Sequence, residues 1–164
     1  MATLTPDPNT NKNTDHEQDA LTSPVTGNPR TEARLMAVQA LYQFLLLGGE
    51  GEADILNQFV SRHVRGRKGD GELFSTLFKN AISERERYQA LIEANLSENW
   101  EWSRIGYVEQ ALLLSAIAEL DVRQDTPTKV VLNEFINIAH SYFEKPEVSF
   151  INSILDKAAK ALRG

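Results

Sequence analysis

Residues 107–122 read YVEQALLLSAIAELDV, and between Ala111 and Ile117 this stretch is apolar around most of its circumference when wound as a helix. A helix with a wet side keeps a polar face; one that is apolar all round is enclosed by others. The segment therefore predicts the centre of an all-α fold. Toward the C-terminus, Asp125-Thr126-Pro127 supplies a turn, and Thr128 to about Phe143 reads as a helix through Val131, Leu132, Phe135 and Ile138. Pro146 suits the first turn of a last helix, on which Phe150, Ile151, Ile154, Leu155, Ala158 and Leu162 form one stripe. Toward the N-terminus, a helix from about Thr31 to Leu47 uses Leu35, Val38, Leu41, Tyr42 and Leu45 and stops at Gly48-Gly49. ADILNQFVSRHV makes a second helix, and residues from about Glu72 to Leu96 a long third one. ENWEWSRIG reads as a connector. Six to seven helices with short connections, and no convincing strand, describe an all-α bundle.

Composition narrows what such a bundle does. The chain has 164 residues, 41% hydrophobic, and no cysteine, which excludes disulfides, thiolate chemistry and cysteine-built zinc sites. No apolar run reaches membrane-spanning length and the N-terminus lacks a secretory pattern, so a soluble, cytoplasmic protein is expected. Residues 1–29, rich in Thr, Asn, Asp and Pro, bury too little to offset their ordering and read as a disordered tail, leaving 30–164 as one domain. The net charge of −6 argues against nucleic-acid binding by bulk electrostatics. Half of it lies in the tail, where Asp7, Asp15, Glu17 and Asp19 outweigh Lys12, so RNA binding would need a local basic patch.

Two basic clusters are available. Arg30 and Arg34 stand on successive turns at the start of the first helix, where free N–H groups and the positive dipole end favour phosphate. Arg62, Arg65, Arg67 and Lys68 are more numerous but flank glycines in a loop. His16, His63 and His140 have no ligand neighbours at metal spacing, and no nucleophile, base and orienter fall together, so neither a metal, a cofactor nor an enzymatic activity is expected. Tyr42 lies two turns beyond Arg34, Phe150 falls on the last apolar stripe, and Trp100 and Trp102 read as caps on the core. Asn133, amid VVLNEFI, is expected to bond backbone and fix how two helices meet.

RLMAVQALYQF, YVEQALLLSAIAEL, TPTKVVLNEFINIAHSYF and FINSILDKAAKAL, in this order, resemble the NusB family of transcription antitermination factors over about residues 30–163. AVQALYQ, VxxNExxxxA and FxNxxLDK are specific in combination. The resemblance implies two small helical bundles without catalytic activity, which bind box A RNA together with the ribosomal protein NusE and serve the transcription elongation complex on ribosomal RNA operons. It places Arg30, Arg34, Tyr42 and Phe150 at the RNA and Glu109 at NusE. Monomers and homodimers both occur in the family, so the oligomeric state stays open. Where the family carries polar or aromatic side chains, this chain has Leu114, Ala118, Val148 and Ser149. A second reading follows from those lost handles: a protein-interaction module with weak or no RNA binding.

Overall fold

The computed structural model describes residues 28–63 and 70–164. These form α1 (Pro29–Leu46), α2 (Glu52–His63), α3 (Asp70–Ser83), α4 (Arg85–Ala94), a 3-10 turn (Trp102–Arg104), α5 (Tyr107–Val122), α6 (Thr128–Tyr142) and α7 (Lys145–Arg163), with no strand among the described residues. The chain is thus all-α. None of the described helices is long and apolar enough to cross a membrane.

Two helical groups share α5. The first is α1, α2 and α3, which touch one another; the second is α4, α6 and α7 gathered on α5, and both α1 and α3 also pack on α5. Every residue from Ala111 to Leu120 is buried, as the all-round apolar pattern requires. Leu114, Ala118 and Val148 are core residues here, so those departures from the family pattern fill space rather than face solvent. In the first group Phe44 meets Phe78 edge-on, and Phe59, Phe74 and Phe78 stack in succession.

Helix ends follow local chemistry. Pro29 occupies the first turn of α1 and the Asn28 side chain accepts the Arg30 N–H at 3.0 Å, so a cap and a proline together start the helix. At the other end Gly48 and Gly49 take φ of 76° and 84°, a left-handed region that side chains resist, and their N–H groups close on Leu45 and Phe44 carbonyls. The long third helix of the sequence reading is two, bent at Glu84. Asn80 donates to the Thr76 carbonyl at 2.8 Å and Ser83 to the Asn80 carbonyl at 3.4 Å, a local competition with the backbone ladder that bends helices. The bend lets Tyr88 turn inward, where its hydroxyl donates to Asp121 of α5 at 2.6 Å.

The α5–α6 corner is held from afar. Arg163, near the end of α7, donates Nε to the Leu120 carbonyl (2.9 Å), Nη1 to Thr126 O (2.6 Å) and Nη2 to Arg123 O (2.8 Å). One guanidinium thereby caps carbonyls that α5 leaves without internal donors. The short turn after Trp100 is fixed likewise, because buried Gln110 donates to the Ile105 carbonyl at 2.7 Å and to Trp102 O at 3.2 Å.

Candidate functional site

The start of α1 separates the two arginines that the sequence pairs. Arg30, in the first turn, is exposed. Arg34, one turn on, is only 2% exposed: its Nε and Nη2 fork onto Glu119 of α5 at 2.8 and 2.7 Å, and Nη1 lies 3.3 Å from Glu134 of α6. Glu134 also accepts the Thr31 hydroxyl at 3.1 Å. The expectation of two solvent-facing arginines is corrected accordingly. A carboxylate inside an apolar helix must be paired, and Arg34 is the cation that reaches it.

A cleft of about 390 Å³ opens beside this ion pair, lined by Arg30, Arg34, Glu72, Glu119, Arg123 and Thr126 among others. Arg123 is drawn to Glu72 at 3.4 Å. With Asp125 also on the wall, carboxylates balance guanidiniums, so the outward positive element of this region is Arg30 on the open N-terminal turn. Tyr42 follows on α1, 37% exposed and about 12 Å beyond Arg34 by the helical rise.

The other expected residues meet elsewhere. Glu109, in the first turn of α5, is half-buried; burial, and then the charge of Glu147, raises its carboxyl above the usual range. Glu147 is in the first turn of α7, one turn before Phe150, and its Oε2 is buried without a hydrogen bond. Phe150 packs its ring 5.4 Å from that of Trp100. Glu109 and Phe150 therefore belong to one patch at the starts of α5 and α7. Glu119 and the α1 start lie about 15 Å away along α5.

Asn133 does not join helices. It is exposed on α6, and its neighbour Glu134 makes the link through Thr31 and Arg34. Arg65, Arg67 and Lys68 of the second basic cluster lie outside the described residues, as do residues 1–27. No cluster of His, Cys, Asp and Glu able to hold a metal is present among the described residues.

The NusB family model matches residues 31–160, nearly the whole helical region. The chain belongs to the NusB family. The transcription antitermination protein NusB of Rhizobium johnstonii is 34% identical over 147 residues, covering 85% of this chain and 91% of that protein. That of Rhizobium rhizogenes is 33% identical over 160 residues, covering 93% and 96%. Among solved structures, "T. maritima NusB" superposes with a TM-score of 0.73 at 28% identity, covering 82% of this chain and 93% of that one. A complex of antitermination factors NusB and NusE with double-stranded RNA gives 0.72 at 26% identity, covering 83% and 99%.

Within this NusB fold, sequence reasoning missed Glu119, Glu134 and Arg163. For Glu119 a signal existed: it is the lone charge between Ala111 and Leu120, and a buried charge demands a partner. Nothing local marks Arg163, whose acceptors lie 35–44 residues away.

Proposed function

We propose that the chain is a non-catalytic, cytoplasmic transcription antitermination factor that binds box A-type single-stranded RNA jointly with NusE. In this reading it promotes processive transcription of ribosomal RNA operons within the elongation complex. The carrying observation is the exposed Arg30 on the capped, open N-terminal turn of α1, with Tyr42 exposed further along the same helix, in a NusB fold. Phe150 and Glu109 form a second contact region, Phe150 toward RNA and Glu109 toward NusE. Kinship with a structure that holds NusB, NusE and RNA together supports both partners. Arg34 serves by holding α1 against α5 and α6 rather than by gripping phosphate.

The test is an RNA titration with and without NusE at two salt concentrations, repeated for Arg30→Ala. Loss of one charged hydrogen bond should weaken binding about ten-fold. The salt slope should flatten by about 0.7, one phosphate on a single strand. Unchanged affinity and slope would refute the Arg30 contact. A second reading, an interaction module that binds protein but little RNA, is favoured by the burial of Arg34 and the balanced charge of the cleft. NusE binding with no RNA binding in either mixture would select it. Sizing the free protein in solution decides between monomer and homodimer.

A further inference from the structure

We infer that Trp100, with Phe150 behind it, is a stacking platform for one unpaired RNA base; this rests on the RNA-binding reading above. The two tryptophans of the connector differ in placement. Trp102 packs against the core, whereas Trp100 is 46% exposed and leaves much of its ring open. Its ring lies 5.4 Å from Phe150 at an interplanar angle of 36°, so one aromatic supports the other and the indole keeps open surface. Phe150 is itself half-buried on α7 and packed against the core. The Trp100 backbone N–H closes on the Ser97 carbonyl at 2.9 Å, which fixes the connector turn that carries the ring.

Charge makes the contact a base rather than a phosphate. Segments 98–109 and 144–150 carry Glu98, Glu101, Glu109, Glu144 and Glu147 against Arg104 and Lys145. Those carboxylates repel phosphate, so a base meets the indole with its backbone turned away toward the Arg30 side, and the ring face itself supplies the contact. With Arg34 sequestered by Glu119, uncharged contacts must supply more of the affinity, and Trp100 continues the surface that Phe150 begins. A cationic side chain of a protein would also suit an indole among carboxylates, and the experiment separates the two.

Trp100 is the sole tryptophan in a Trp102→Phe variant, which is titrated with a short unpaired box A-type RNA and, separately, with NusE. The expected result is quenching of indole emission by the RNA. Trp100→Ala should bind about ten-fold or more weakly, as for one stacked base, with an unchanged salt slope, and Trp100→Phe should recover most of the loss. Should Trp102→Phe fail to fold, fluorotryptophan in the otherwise native chain gives the same readout by fluorine resonance shifts, with Trp100→Phe assigning the signals. The inference is overturned if wild type binds RNA while Trp100→Ala binds equally, if NusE alone perturbs Trp100, or if the loss comes with a changed salt slope or lost helicity. Wild type that binds no RNA with or without NusE overturns the functional reading itself.

Discussion

Held between two carboxylates, Arg34 ties α1 to α5 and α6. Arg34→Ala strands Glu119 in the core and should cost about 3–5 kcal/mol of stability in urea unfolding, whereas Glu119→Ala leaves Arg34 its contact with Glu134 and should cost less. Replacing both, Arg34→Met with Glu119→Leu, should restore most of it, because well-packed apolar groups avoid the desolvation of two charges. A double-variant loss equal to the sum of the two single losses would show that the pair does not act as a unit. Glu109 works in the opposite sense. Its carboxyl is raised in the folded protein by burial and by Glu147, so the native state holds a proton more tightly than the unfolded chain. Stability should therefore fall as pH rises from the ordinary carboxylate value through that raised one. Glu109→Gln should stabilise the protein at neutral pH and lose this advantage in acid, measured by paired thermal melts; an equal effect at both pH values would contradict the assignment. In the reading proposed above, that destabilising carboxylate is the one offered to NusE.

At the scale of helices, the α4–α5 contact depends on Tyr88. Burial first, and then its hydrogen bond to Asp121, pushes the phenol well above its ordinary value of 10.0. Because the folded chain keeps this proton while the unfolded chain releases it, stability should decline as pH climbs beyond about 10. Tyr88→Phe should flatten that decline and cost about 1 kcal/mol at neutral pH for the lost hydrogen bond, Asp121 keeping its ion pair with Arg87, readable in urea titrations at both pH values. The bend that delivers Tyr88 was not legible in advance. Leu73, Leu77, Ile82, Leu91 and Ile92 keep near-helical spacing across it, and side chains bonding their own backbone at Asn80 and Ser83 leave no mark in apolar periodicity. By contrast α5 and α7 were plain, since their apolar patterns report burial directly. The pattern cannot say which long polar side chains are covered. Arg30 and Arg34 look alike in sequence, yet one is exposed and the other enclosed, because only the second turn of α1 comes opposite Glu119.

For the molecule as a whole, α5 is the shared partner of both helical groups, so neither keeps its core if the other opens. Thermal unfolding followed by far-UV circular dichroism and by tryptophan emission should coincide in one transition; separated midpoints would mean that the groups unfold independently. The same architecture bears on how the chain is made. α5 ends at Val122; Gln124 covers the Leu120 and Asp121 carbonyls locally, but the side-chain donor to the Arg123 and Thr126 carbonyls of the corner resides on Arg163. During vectorial synthesis the corner after the hub helix thus waits, only partly capped, for some forty residues of later chain. A nascent chain halted before residue 163 should remain open to protease around residues 120–126, and the corner should become resistant once the Arg163 guanidinium is free of the ribosome to close it.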